Sequence, residues 1–159
     1  MGCSGAVTEH DRKLTELVAA ARSAMEHAHA PYSRFAVGAA VRLTDGSVVV
    51  GCNFENASYG LSLCAETVAL ACVNAQGRFA DVEEIAVVGG AMDGSGEALV
   101  TPCGRCRQII NEAEQMAGRE IAIHCATPSG DRIAHYRITD LLPDAFGPAD
   151  LGITPIRKS

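Results

Sequence analysis

The sequence predicts a single three-layer α/β/α domain on a mixed five-stranded sheet, and three observations carry that reading. Helix-period and strand-period segments alternate in the order αββαβαββ, the pattern of helices layered on a sheet. The 159 residues make about one domain's length of chain. With 48% hydrophobic and 20% charged residues there is material for a core and too little charge for a disordered polymer. Aromatics are only 4%, with no Trp, so Ala, Val, Ile and Leu must build that core. Residues 8–150 are expected to form the domain, between a disordered 1–7 segment and a tail at 151–159.

The first helix is expected from Thr8 to about Ala30, where Leu14, Leu17, Val18, Ala21 and Met25 follow helical spacing. Thr8 and Asp11 resemble an N-cap pair, and Pro31 is the expected stop. Phe35–Leu43 and Ser47–Gly51 read as an antiparallel hairpin turned at Asp45-Gly46. Asn53–Ser62 reads as a loop, and Cys64–Asn74 as a helix of about three turns ending before Gly77. A third strand spans Glu84–Val88, and the four glycines within Gly89–Gly96 predict a flexible loop. Pro102 suits a helix first turn, so Cys103–Met116 is expected to be helical up to Gly118. Glu120–Cys125 and Arg132–Thr139 complete the strands, with Pro128-Ser129-Gly130 between them and one helical turn after Asp140.

A formal charge of −6 repels a phosphate backbone, and few aromatics are available to stack bases, so a nucleic-acid polymer is a poor partner. A small uncharged ligand suits the chain better. There is no apolar run of membrane-spanning length and no secretion-like start, which predicts no membrane partner and a cytoplasmic location. Seven cysteines, an odd number, argue for metal ligation or buried thiols over a disulfide framework.

The residues that carry chemistry are Cys64-Ala65-Glu66 at the start of one predicted helix and Pro102-Cys103-Gly104-Arg105-Cys106 at the start of another. Each helix N-terminus carries roughly half a positive charge, which favours thiolate over thiol and therefore a soft metal such as zinc. Three protein ligands leave a fourth tetrahedral position for water, the layout of a catalytic site; a structural site is usually closed by four residues. Cys72, His124 and Cys125 are the candidates for such a fourth ligand. Cys125 ends a predicted strand and Cys72 lies two turns into a helix, so both are expected to be buried small apolar residues. All five histidines read as surface or core residues.

These motifs resemble the cytidine deaminase family in its small, three-cysteine form. The resemblance extends through Tyr32-Ser33-Arg34-Phe35-Ala36-Val37-Gly38-Ala39-Ala40, Gly51-Cys52-Asn53-Phe54-Glu55-Asn56-Ala57-Ser58-Tyr59, and Leu141-Leu142-Pro143-Asp144-Ala145-Phe146-Gly147-Pro148. It implies a cytidine deaminase-like fold, one Zn2+ per chain on Cys64, Cys103 and Cys106, and Glu66 as proton shuttle. It further implies Asn53 and Glu55 on the sugar hydroxyls, Phe35 stacked on the pyrimidine, and Ala65 among the substrate-binding residues. Tyr59 and Phe146 would enter the sites of neighbouring subunits in a homotetramer. The implied reaction is hydrolytic deamination of free cytidine and deoxycytidine, as in pyrimidine salvage.

Two departures stand out. The Arg usual after the family's Glu is Thr67, and Arg105 lies between the second and third ligands. Three thiolates and Zn2+ sum to −1, Thr67 has no cationic group, and Arg105 is expected to supply the compensating charge. Arg105 also makes the motif similar to that of blasticidin S deaminase, so a cytosine-bearing aminonucleoside antibiotic is the rival substrate. A third reading, a structural-zinc or thiol-redox protein, leaves Glu66 without a purpose.

Overall fold

The structure, a computed structural model, describes residues 8–155. The expected disordered segment 1–7, which includes Cys3, and the last four residues of the expected tail lie outside the described residues. Thr8 opens α1 (Glu9–Met25) with a reciprocal cap. Its hydroxyl accepts from the Asp11 amide and the Asp11 carboxylate accepts from the Thr8 amide, pairing two otherwise free donors. The helix ends well before the expected Ala30. The backbone of His29 is engaged elsewhere, its N–H donating to the Asn53 carbonyl and its carbonyl accepting from the Glu55 amide. Pro31 thus follows the helix end without causing it.

Five strands form one sheet: β1 (Phe35–Leu43), β2 (Val48–Cys52), β3 (Val82–Ala91), β4 (Ala122–Ala126) and β5 (Ile133–Tyr136). Their order is β2-β1-β3-β4-β5, with β3 and β4 parallel and every other pair antiparallel. Side chains alternate across the sheet. Val41, Ile85, Val87 and Ile123 pack on one face with Leu70 and Val73 of α2 (Ala65–Ala75) and Ile110 of α3 (Gly104–Ala117). Ala40, Ala86, Val88 and Ala126 pack on the other face with Leu17, Val18 and Ala21 of α1. Burying a side chain such as Ile85 or Leu70 contributes about 1.5–3 kcal/mol. The three layers are therefore those expected.

Two close approaches fix the helices. A Cβ on Gly38 would lie 2.0 Å from the Ala21 carbonyl oxygen of α1, and one on Gly51 would lie 2.5 Å from the Ala69 amide nitrogen of α2. Only hydrogen fits at either position.

Three expected boundaries shift. Strand β3 runs on through Gly89, Gly90 and Ala91, which pair with Val37, Ala36 and Phe35, so the predicted flexible loop begins later. Val37, Phe35 and Val100 fill the space beside Gly89, and Pro128 fills that beside Gly90. Strand β5 stops at Tyr136, because Arg137 starts the short α4 (Ile138–Leu141), whose Asp140 carboxylate accepts from the Arg137 amide. Pro102 lies one residue before the N-cap of α3 and not in its first turn.

Candidate active site

Helices α2 and α3 both begin at cysteines. Cys64 and Cys103 are their N-cap residues, and neither side chain caps its helix, so both sulfurs belong to uncapped helix starts with their positive dipole ends. Cys106 follows in the first turn of α3. The Cys64 and Cys103 sulfurs lie 3.7 Å apart, those of Cys103 and Cys106 3.5 Å, and all three are within 4.8 Å of one another. Tetrahedral ligation at a Zn–S distance of ~2.3 Å needs sulfurs ~3.8 Å apart, so the donor set fits zinc. Crowding shows in the thiols themselves. The Cys106 thiol donates to Cys64 and brings the Cys64 pKa down to about 6, whereas Cys106, holding that proton in a buried position, is pushed up.

None of the three candidates for a fourth ligand belongs to this cluster. Cys125 is buried as expected, and burial raises its pKa to about 12. Cys72 is exposed on α2, contrary to expectation, because it lies on the helix face turned away from the sheet. His124 is buried against the α1 layer, where its Nδ1 meets His135 Nδ1 at 2.8 Å.

Beside the sulfurs is a cavity of about 220 Å³, lined among others by Val37, Asn53, Glu55, Ala65, Glu66 and Thr101. Glu66 is 4% exposed, and burial raises its pKa above the ordinary carboxylate value. A carboxyl group so placed, two residues from a ligand, can hold a proton and give it up again. At the outer end, the Glu55 carboxylate accepts from the Tyr32 amide at 2.9 Å and the Ser33 amide at 3.2 Å. Hydrogen bonding from Ser33 leads the causes that lower its pKa, so it stays ionised. Asn53 also lines the cavity, but its amide is already engaged with β1. Its Oδ1 accepts from the Val37 amide at 2.8 Å and its Nδ2 donates to the Phe35 carbonyl at 2.9 Å, leaving one amide hydrogen and one lone pair for a ligand.

The remaining expected residues stand outside the lining. Phe35 begins β1 at the rim, 36% exposed, and Val37 on the same face supplies the wall. Tyr59 and Phe146 are 74% and 62% exposed and do not line the cavity. The Arg105 guanidinium donates to the Ser62 carbonyl at 3.4 Å, not to a sulfur, although its charge is among the influences that lower the Cys64 pKa. Two further residues belong to the site. Arg107 donates to the carbonyls of Pro102 (2.7 Å) and Leu141 (2.9 Å), tying the segment that leads into Cys103 to α4. The Thr67 hydroxyl lies 3.8 Å from the Cys106 sulfur. In the sequence, position 107, four residues after Cys103 on one helix, was the available signal for Arg107; for Thr67 it was the helical position itself.

A family model described as the cytidine and deoxycytidylate deaminase zinc-binding region matches residues 11–119. The cytidine deaminase of Mycobacterium tuberculosis (strain ATCC 25618 / H37Rv) is 46% identical over 132 residues, 82% of this chain and 87% of that protein. That of Halalkalibacterium halodurans is 42% identical over 141 residues, 89% of this chain and 98% of that protein. The crystal structure of cytidine deaminase from Burkholderia pseudomallei superposes with a TM-score of 0.72 at 41% identity, covering 87% of this chain and 99% of that one. A family model spanning more than half the chain and relatives similar along most of their own length converge with the three-sulfur geometry: the chain belongs to the cytidine and deoxycytidylate deaminase family.

Proposed function

We propose that the chain is a zinc-dependent hydrolase that converts cytidine and deoxycytidine to uridine and deoxyuridine with release of ammonia, serving pyrimidine salvage. The observation that carries this is the buried Glu66 carboxyl on the same cavity wall as three convergent sulfurs, with an ionised, backbone-held Glu55 at the opposite end. Zinc on Cys64, Cys103 and Cys106 supplies the Lewis acidity that brings the pKa of water down toward ~7. Glu66 takes the proton that water gives up and delivers it to ring N3 of the cytosine so that C4 becomes electrophilic; it then takes the remaining proton of the hydroxyl added at C4 and passes it to the amino group, which leaves as ammonia as the C4 carbonyl forms. Ala65 presents its backbone to the base, and Phe35 at the rim stacks on it. Glu55 and the free valences of Asn53 accept and donate hydrogen bonds to the sugar hydroxyls. Arg105 supplies positive charge near Cys64.

Tyr59 and Phe146, exposed in a single chain, serve the sites of neighbours in a homotetramer. The nucleoside is favoured over an aminonucleoside antibiotic because the similar proteins above are named for cytidine. Among the described residues no helix is long and apolar enough to cross a membrane. Incubating the purified protein with cytidine, deoxycytidine, cytosine, CMP and blasticidin S, and following the loss of cytosine absorbance, tests the reading. Turnover of the two nucleosides is expected; turnover of blasticidin S alone overturns it.

A further inference from the structure

We infer that Thr67 is a positioning residue for the metal, its hydroxyl donating a hydrogen bond to the Cys106 sulfur and holding that sulfur as a ligand. The inference rests on Cys64, Cys103 and Cys106 being the ligands. The three sulfurs do not share one environment. Cys103 is exposed and Cys64 half-buried, so water and the nearby Arg105 charge reach them, whereas Cys106 is fully buried. A buried thiolate without a donor is costly, because nothing replaces the hydration it has lost.

Among the described residues, the side chains beside Cys106 leave one steady donor. Its contact with Cys103 at 3.5 Å is a hydrogen bond only while one of the two keeps a proton, and ligation removes both protons. Thr67 Oγ1, 3.8 Å from the sulfur, carries a proton throughout, and against a thiolate it can only be the donor. Among the described residues the Thr67 hydroxyl makes no hydrogen bond besides this contact with the Cys106 sulfur. A threonine can therefore do by dipole, at the buried sulfur, what a cation does elsewhere by charge. Partners that orient metal ligands typically change metal affinity 10–100-fold when removed.

The test uses the whole protein. Thr67→Val keeps the shape and removes the donor; Thr67→Ser restores the donor; Thr67→Ala guards against a valine-specific packing fault. Zinc release to a chromogenic chelator is expected to quicken about 10–100-fold in Thr67→Val and Thr67→Ala and to stay near wild type in Thr67→Ser. In the Co2+-substituted proteins, the thiolate-to-cobalt charge-transfer band should move to lower energy in Val and Ala and remain in place in Ser, a shift that a purely packing role does not produce. Equal release rates and unmoved bands in all four proteins remove Thr67 from the site. Failure of the wild-type protein to take up Co2+ or Zn2+ instead removes the ligand assignment itself.

Discussion

The two faces of the sheet treat buried polarity in opposite ways. Beneath α1, most polar groups are paired with one another, although the buried His124 Nε2 has no hydrogen-bond partner among the described residues. Arg42 and Glu84 pair at 2.5 Å, the Arg42 guanidinium also donates to the Lys13 carbonyl, His124 meets His135, and the helix is closed by its Thr8–Asp11 box. Beneath α2 and α3, helix starts lack side-chain caps, three sulfurs crowd together, and Glu66 is buried with its pKa raised. An absent side-chain cap costs a helix about 0.5–2 kcal/mol, and here both uncapped starts are at cysteines that line the cavity. The face where three sulfurs and a buried carboxyl crowd beside a cavity is the one that carries chemistry; the other carries stability.

The largest test of that division is Glu66→Gln, which should lower turnover at least ~10²–10⁴-fold while zinc content and melting temperature stay near wild type. Retained turnover would break the comparison at its centre. Glu55→Ala, at the outer end of the same cavity, should cut kcat/KM for cytidine about ten- to a hundredfold, mostly through KM, with little change in stability. An unaltered KM would mean the sugar is held elsewhere.

On the α1 face the sign reverses, and stability moves while chemistry does not. Burial brings the His124 pKa down to about 4 from an ordinary 6.5. Above pH 6.5 both folded and unfolded states are neutral and the full stability is present. Between 6.5 and 4 the unfolded chain binds a proton that the folded chain refuses, and stability falls by on the order of 3 kcal/mol. Urea midpoints across that range should fall more steeply for wild type than for His124→Gln; parallel curves would show that His124 is not the group responsible. The smallest effect belongs to Thr8→Ala, which should cost about 1 kcal/mol in urea unfolding and leave kcat/KM unchanged.

Where the chain's physics is local, the sequence was legible. The Thr8–Asp11 cap, the Asp45-Gly46 hairpin and the two cysteine motifs each state their structure within a few residues, and the sulfurs converge as the two helix starts suggest. What could not be read depends on partners distant in the chain. The strand through Gly89–Ala91 exists because β1 lies beside it, and α1 ends early because His29 pairs with Asn53 and Glu55. Asn53, typed from its motif as a sugar ligand, has half its hydrogen-bonding capacity engaged with the β1 backbone. Arg105, in the first turn of α3, bonds the Ser62 carbonyl in the segment before α2, a pairing no spacing rule contains.

The contact between Gly51 and α2 changes how a mutational scan of this enzyme should be read. A single methyl at position 51 meets the Ala69 nitrogen at 2.5 Å and the Ala65 carbonyl oxygen at 2.7 Å, both backbone atoms that cannot swing aside. The helix must shift as a body, taking Cys64 at its N-cap and Glu66 in its first turn with it. In an activity screen Gly51 would therefore score like a member of the catalytic set although it touches no substrate, and directed evolution that varies the cavity while leaving this edge of the sheet fixed would waste fewer clones. Pairing each activity score with the yield of folded protein separates the two kinds of intolerance.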